Sequence, residues 1–232
     1  MIRTGLIWSA GAIALMLGAV WWAYGALPET GEIPVHWSAQ GEADDFAPRG
    51  EAVLYLLILP ASAVFTTLLL AIAPLIDPFR ENLRRSRQAY VAIWAGSMCL
   101  LAALNAGIAF MMTRGADGAS NEFVRFVMAG CGLLFIVIGN YLPKTRKTFF
   151  LGIRTPWTLT SDYAWEKTHR LVGPLYIAAG LIGIVIAFTL TGIWIVFAFV
   201  GVVMSVTLFG VVYSWFAWRN ASDRNEGSDY VV

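Results

Sequence analysis

The side chains best suited to chemistry lie together between residues 154 and 170. This segment holds two guanidinium groups, an imidazole and two indoles, from Arg154, Arg170, His169, Trp157 and Trp165, together with the hydroxyls of Thr155 and Thr168. Guanidinium groups bind carboxylates and phosphates through charge-assisted hydrogen bonds, so the set is suited to binding an anion or a protein carboxylate. It is also suited to holding two cations beside lipid phosphates.

Catalysis would need a base beside a nucleophile, and one group of residues has that form. Glu166 and His169 are three residues apart, so on a helix Glu166 could orient the imidazole next to Thr168. Capping and interface roles account for the same residues. No catalytic residue is therefore predicted, and the chain is not expected to be an enzyme.

A second polar segment, residues 29–51, is strongly acidic. It contains one arginine and six carboxylates, which belong to Glu29, Glu32, Glu42, Asp44, Asp45 and Glu51. Apolar and polar residues alternate around Pro34, which predicts extended backbone, and Gly41 predicts a turn. We expect the segment either to pack on helix ends or to present a strand edge to a partner.

No metal site or cofactor is expected. His36 and His169 fall on opposite sides of the predicted membrane, so one ion cannot bind both. Cys99 and Cys131 fall inside predicted spans without metal-ligand spacing, so packing is their expected role.

The composition indicates lipid as the solvent, because 58% of the 232 residues are apolar and 13% are charged, whereas soluble domains have about 25% charged residues. Five charge-free stretches reach the ~18 residues of a spanning helix: 4–28, 52–76, 86–112 with its polar start discounted, 126–143 and 171–218. The last can hold two spans and is interrupted around Gly192, which predicts a helical hairpin. The predicted fold is all-α, a bundle of six transmembrane helices.

The first stretch has an alternative interpretation as a cleaved signal peptide, because Ala23 and Gly25 have cleavage-site spacing. Its apolar part is longer than the ~7–15 residues of such peptides. The aromatic cluster at Trp21, Trp22 and Tyr24 is typical of a membrane interface. A retained helix is therefore predicted.

Cationic residues predict the orientation, because cationic loops stay in the cytoplasm during insertion. Of the 16 Lys and Arg residues, 13 fall on the side of both termini, and Arg49, Arg114 and Arg125 fall on the other. Both termini and the loop at 144–170 are thus expected inside. We expect one membrane domain with two parts, residues 1–88 with the acidic outer loop and residues 89–232 with the basic inner loop.

The inner loop contains many apolar, Gly and Pro residues, so its part at 149–159 is expected to lie in the interface or to fold back. The loop opens with a basic cluster, Lys144, Arg146 and Lys147, that anionic headgroups attract. Thr160 or Ser161 is the predicted N-cap of the next span, and Asp162 suits its first turn.

The same loop carries a specific family resemblance. It contains Gly-Ile-Arg-Thr-Pro-Trp-Thr-Leu from Gly152 and Trp-Glu-Lys-Thr-His-Arg up to Arg170, and this pattern closely resembles the SdpI family of bacterial immunity proteins. Thr148 departs from the family pattern, where asparagine is expected. The acidic segment is similar to the small amino-terminal domain that often precedes the family.

The resemblance implies protection against a secreted, membrane-active toxic peptide in the bacterial cytoplasmic (inner) membrane. In the founding case it also implies retention of a soluble transcriptional repressor at the membrane, without direct contact with nucleic acid. The candidate partner-binding residues that it indicates are Asn140, Lys144, Gly152, Arg154, Thr155, Pro156, Trp157, Trp165, Thr168, His169 and Arg170. In the outer loop they are Pro34, His36, Gly41 and Asp44.

The alternative function is a small transporter or channel for an unknown solute, which requires polar groups along a path through the membrane. The polar residues well inside the predicted spans are uncharged: Thr66, Thr67, Ser97, Asn105, Ser205 and Thr207. Hydrogen bonds between helices account for them equally well.

Overall fold

A computed structural model describes residues 1–38, 42–115 and 121–224. Its helices are α1 (Ile2–Ala26), α2 (Arg49–Ile76), α3 (Arg80–Arg85), α4 (Arg87–Arg114), α5 (Asn121–Tyr141), α6 (Pro156–Thr160), α7 (Asp162–Thr189) and α8 (Ile193–Arg219). The helices α3 and α6 are short and lie in connections. A single 3₁₀ turn, Leu142–Lys144, follows α5.

Six of these helices are long and apolar enough to cross a membrane, as the sequence predicts. The predicted hairpin is confirmed, because α7 ends at Thr189, Gly192 takes a φ of +58°, and α8 begins at Ile193. Several helix boundaries differ from the predicted stretches, for example at α1, which begins at Ile2, and at α2, which begins at Arg49. The fifth helix begins at Asn121 rather than at residue 126, so Arg125 lies within it.

Side chains of α4 bind two backbone carbonyls that the prolines of α2 leave unpaired. Proline has no N–H, so neither Pro60 nor Pro74 can pair with the carbonyl four residues earlier in the helix. Such a carbonyl needs another donor inside a membrane. The two resulting pairs are Leu56 O with Asn105 Nδ2, at 2.8 Å, and Leu70 O with the Tyr90 hydroxyl.

A buried hydroxyl cluster joins α1, α2 and α4. Ser9 Oγ accepts hydrogen bonds from Trp94 Nε1 and from Thr67 Oγ1, each at 2.8 Å. The Trp94 ring packs directly on Gly5, where a Cβ atom would overlap it. The first helix is therefore part of the bundle core.

Glycines let α5 and α7 approach until their backbones touch. Four glycines form two facing pairs, Gly132 with Gly180 and Gly139 with Gly173, and the members of each helix are seven residues apart. A Cβ atom on Gly139 would lie 2.5 Å from Gly173 O. This spacing keeps the glycines on one face of each helix, and close backbone contact is a recognised way to associate helices in lipid.

The acidic segment forms a two-stranded antiparallel hairpin, β1 (Glu32–Trp37) and β2 (Ala43–Pro48). This confirms the predicted extended backbone, and it adds a small sheet to a fold predicted to be all-α. Ile33, opposite Ala47, is 1% exposed and packs on the ends of α1, α2 and α4. The predicted turn residue Gly41 lies outside the described residues.

The two-part division at residue 88 stays a prediction. The fourth helix begins at that point and packs against α1 and α2 as well as against α5. The turn between α2 and α4, the start of α7 and the region after α8 all meet at one end of the bundle, opposite the hairpin.

Candidate functional site

The connecting loop, defined as residues 142–161, joins α5 to α7 and is fixed to the turn between α2 and α4. That turn contributes three polar side chains, of which Asp77 is 3% exposed. Asp77 Oδ2 accepts a hydrogen bond from Phe149 N at 3.1 Å, and Ser86 Oγ accepts one from Arg146 N at 3.0 Å. Asn82 Nδ2 donates to Lys147 O at 3.0 Å. The loop backbone is therefore ordered by the amino-terminal helices.

The opposite side of the loop rests on two aromatic rings of α7. Trp165 and His169 stack with ring centroids 4.0 Å apart. Trp165 Nε1 donates to Thr145 O at 3.0 Å, and His169 Nε2 accepts from Ile153 N at 2.9 Å. These two contacts fix both ends of the stretch between residues 145 and 153.

Gly152 is required by this stacking for two separate reasons. Its φ of +108° lies in a region that residues with a Cβ atom rarely adopt. A Cβ atom there would also overlap His169 Nε2 and lie 2.9 Å from the Trp165 ring. The first residue of the predicted motif therefore acts by having no side chain.

Both ring nitrogens of His169 are engaged by backbone groups, since Nδ1 lies 2.7 Å from Trp165 O and Nε2 accepts from Ile153 N. The proton is therefore assigned to Nδ1, and the ring is 1% exposed. The suggestion that Glu166 orients this imidazole is wrong, because Glu166 faces outward and pairs with Arg170 at 3.0 Å. The arrangement gives His169 a structural role.

Hydroxyl groups organise the rest of the motif. Thr155 and Thr158 form a reciprocal capping box at the start of α6, where Pro156 occupies the first turn. Thr155 Oγ1 also lies 3.0 Å from Ser214 Oγ of α8. Thr148 is buried and bonds both backbone groups of Leu151, which shows that the residue departing from the family pattern still closes a local turn.

Arg154 is one of the exposed residues of the motif, together with Pro156 and Arg170. Its Nη1 donates to Phe149 O at 2.7 Å, and much of the guanidinium remains open to solvent. Trp157 beside it is partly buried. Thr168 is buried, and its hydroxyl has no partner within the described part of the chain.

Two side chains stabilise the start of α7, one directly before the helix and one from the segment after α8. Ser161 is the N-cap and accepts from Ala164 N at 3.0 Å, which confirms one of the two predicted caps. Asp223, beyond α8, accepts from Ser161 Oγ at 2.5 Å and from Tyr163 N at 3.2 Å. Partial burial raises the pKa of Asp223, but these hydrogen bonds outweigh it and hold the pKa below the usual aspartate value.

A polar pocket of about 590 Å³ opens between the connecting loop and α7. Its lining includes Asn82 and Trp165 together with four cationic and two anionic side chains, which are Lys144, Arg146, Lys147, Arg170, Asp162 and Glu166. Two ion pairs cross it or border it, Lys147 with Asp162 at 2.8 Å and Arg170 with Glu166 at 3.0 Å.

The predicted site residues fall into three groups in the structure. Lys144, Trp165 and Arg170 line the polar pocket, and Asn140 reaches it through a 3.2 Å hydrogen bond from Lys144 Nζ. The second group fixes the loop backbone through the contacts described above and consists of Gly152, Thr155 and His169. Thr168 is buried nearby, and Pro156 is exposed. The third group, Arg154 and Trp157, does not line the pocket.

The outer-loop residues lie at the hairpin, at the other end of the bundle. Pro34 is buried in β1, and His36 Nδ1 lies 2.6 Å from Asp44 Oδ1 on the exposed face. Pro34 thus contributes to packing, and the other two form a surface pair.

Several residues of the site were not selected from the sequence. Arg146 and Lys147 were assigned only to a basic cluster, and Asp77, Asn82 and Asp223 were not assigned at all. A signal did exist for Asp77, which is an acidic residue placed directly after a span and before an arginine-rich turn. Among the described residues, no group of three or more His, Cys, Asp or Glu side chains is placed to hold a metal ion.

The six apolar helices and the loop that they hold define a multi-pass membrane protein. Residues 144–214 match the SdpI/YfhL protein family, and residues 11–59 match a domain of unknown function, DUF1648. The resemblance predicted from the inner loop and the acidic segment is therefore confirmed over these two regions.

One curated relative gives the family match a name. The immunity protein SdpI of Bacillus subtilis strain 168 is 30% identical over 59 residues, which are 25% of this chain and 28% of the length of that relative. No solved structure matches the chain significantly. The comparisons support an immunity-type membrane protein.

Proposed function

We propose that this protein protects a bacterial cell against a secreted, membrane-active toxic peptide. One observation carries the proposal. The region that matches the SdpI/YfhL family, residues 144–214, contains nearly all of the connecting loop, and this loop is hydrogen-bonded to both halves of the bundle. A loop held in this way can transmit a change in the helices to its exposed surface. The relative's name supplies the function of immunity.

The acidic hairpin is the proposed contact for the peptide. All six carboxylates of residues 29–51 are exposed. Among the described residues, two of them form ion pairs, Glu29 with Arg49 at 3.9 Å and Asp44 with His36 at 2.6 Å. The remaining negative charge would attract a cationic peptide and raise its local concentration at the membrane.

The proposed orientation places the connecting loop and both termini in the cytoplasm, and the hairpin outside. It is supported by the 13 cationic residues on the loop side. A single cysteine at position 154, with Cys99 and Cys131 replaced by alanine, should react with an impermeant maleimide only after permeabilisation. Reaction in intact cells would overturn this orientation, whereas a single cysteine at position 44 should react in intact cells.

The exposed cations of the connecting loop are the proposed docking surface for a soluble repressor. Arg154 is the strongest candidate, because its side chain is exposed and, within the part of the chain that the structure describes, donates to one backbone carbonyl, that of Phe149. Docking would require the peptide-bound state of the protein, so it should be measured with and without peptide.

A cell-killing assay tests the immunity function. Cells that express the protein should survive a dose of a cognate membrane-active peptide that kills cells without it, and equal killing would overturn the proposal. Arg154→Ala should keep normal abundance in the membrane, since the side chain is exposed, and should reduce repressor docking. Arg84→Ala is the matched control, an exposed cation at the same end of the bundle but outside the loop.

The transporter alternative gains no support from the polar residues inside the spans. Asn105, Thr67 and Thr207 are each engaged in contacts between helices. Ser205 bonds the carbonyl of its own preceding turn. These side chains stabilise the bundle where a conducting path would need them free.

A further inference from the structure

The polar pocket has more positive than negative charge, and its ion pairs leave two cations available. Lys147 is bound to Asp162, and Arg170 is bound to Glu166. Arg146 uses its backbone N–H for Ser86, but its guanidinium has no hydrogen-bond or ion-pair partner among residues 1–38, 42–115 and 121–224. Within the same described residues, the partners of the Lys144 ammonium group are the neutral Asn140 amide and the Tyr141 ring.

The depth of the pocket coincides with the lipid headgroups. The charge-free part of α7, residues 171–189, is 19 residues long and therefore spans about 28 Å at 1.5 Å per residue. That length matches a hydrocarbon core of about 30 Å. Glu166 and Arg170, which precede this part, thus lie in the headgroup layer.

The neighbouring helix gives the same depth independently. The charge-free stretch at residues 126–143 consists of α5 from residue 126 onward and the first two residues of the 3₁₀ turn. It spans about 28 Å at 1.5 Å per α-helical residue and 2.0 Å per 3₁₀ residue. Lys144 follows it directly. The cations from both helices are therefore at the level where phospholipid phosphates are found.

We propose that the polar pocket binds the phosphate of an anionic phospholipid, with Lys144 and Arg146 as its main contacts. A phosphate accepts charge-assisted hydrogen bonds from a guanidinium and an ammonium group at once. The indole of Trp165 forms the adjoining wall, and the acyl chains follow the apolar surface of α5 and α7. This site does not depend on the proposed immunity function, because it requires only a membrane.

Native mass spectrometry of the full-length protein in detergent measures the binding. Short-chain phosphatidylglycerol is the probe, phosphatidylcholine with the same chains is the neutral control, and inorganic phosphate is the soluble competitor. Phosphatidylglycerol should bind roughly tenfold more tightly than phosphatidylcholine. Equal binding of the two lipids overturns the proposal, and full displacement by inorganic phosphate assigns the pocket to a soluble phosphate compound instead.

The double variant Lys144→Gln, Arg146→Gln tests the location of the site. Each cation near a membrane surface contributes about fivefold in affinity, so the double variant should bind phosphatidylglycerol roughly 25-fold more weakly. The matched control is Arg80→Gln, Arg84→Gln, which removes two exposed cations from α3 at the same end. An equal loss in the control shows diffuse attraction and overturns the pocket.

A gain of affinity separates binding from misfolding. Glu166→Gln removes the carboxylate that pairs with Arg170 and adds a third free cation to the pocket. Affinity for phosphatidylglycerol should rise roughly fivefold, which no loss of structure can produce. Unchanged or weaker binding in this variant contradicts the proposal.

Discussion

The helices of the amino-terminal half and those of the carboxy-terminal half are joined by different physical means. In the first half, α2 and α4 are joined by polar side chains that bind carbonyls left open by prolines. In the second half, α5 and α7 are joined by direct backbone contact at glycines. The first arrangement depends on hydrogen-bonding side chains, and the second depends on glycines, which have no Cβ atom to keep the helices apart.

This difference affects how the connecting loop is held in place. Gly173 of α7 packs against Pro143, at the start of the connecting loop, so that a Cβ atom would lie 2.5 Å from the proline ring. The close contact between α5 and α7 therefore sets the distance between the two ends of the loop. The amino-terminal half then fixes the middle of the loop through Asp77, Asn82 and Ser86.

The largest expected effect comes from filling the glycine contact. Gly139→Val would force α5 away from Gly173 O, because both groups in contact are backbone. We expect a loss of about 3 kcal/mol or more in stability, seen as a lower melting temperature in detergent and lower abundance in the membrane. The control is Gly201→Val in α8, where a Cβ atom meets nothing within 4 Å. An equal loss in both variants would contradict the contact.

The next effect concerns the motif glycine. Gly152→Ala would add both backbone strain and an overlap with His169, and we expect a loss of about 2 to 3 kcal/mol. Gly31→Ala is the control, since its φ of +99° is similar but its surroundings are open. The control should lose only the strain, about 1 kcal/mol. Equal melting temperatures for the two variants would mean that the stacked rings of Trp165 and His169 yield freely.

A smaller effect tests the proline carbonyls of the first half. Asn105→Ala should cost about 1 kcal/mol, because Leu56 O loses its donor inside the membrane. In a Pro60→Ala background the new backbone N–H pairs with Leu56 O, so the same substitution should cost much less. A double-mutant cycle on thermal stability measures this coupling. Additive losses would show that Asn105 acts through packing alone.

The sequence predicted the parts of the fold that hydropathy determines. Six spans and the hairpin around Gly192 follow from the length of apolar stretches, because lipid imposes that length. Hydropathy cannot show which helices touch. The facing glycines become meaningful only when α5 and α7 are antiparallel neighbours, and the pairing of Asn105 with Leu56 O spans 49 residues.

The candidate site residues were selected because their chemistry is unusual for a membrane connection, and their function stays a prediction. The structure places the first motif block, from Gly152, in the connecting loop and the second, Trp165 to Arg170, on α7. Their roles depend on tertiary contacts that the sequence does not reveal. In the structure His169 is buried beneath the loop, and Lys147 and Asp162 line the polar pocket. Asp223 was missed because nothing near residue 223 in the sequence indicates contact with the start of α7.

The smallest expected effect concerns the hydrogen bonds that Asp223 accepts from Ser161 and Tyr163 at the start of α7. The pKa of Asp223 is lowered in the folded protein, so its contribution to stability is present above the usual aspartate pKa of about 4 and is lost as the pH falls through the lowered value. Asp223→Asn should lower stability at pH 7 by less than about 1 kcal/mol, because the group is partly exposed. The difference in melting temperature between wild type and variant should shrink below about pH 4. A difference that is constant with pH would show that the carboxylate charge is not what holds Ser161 and Tyr163.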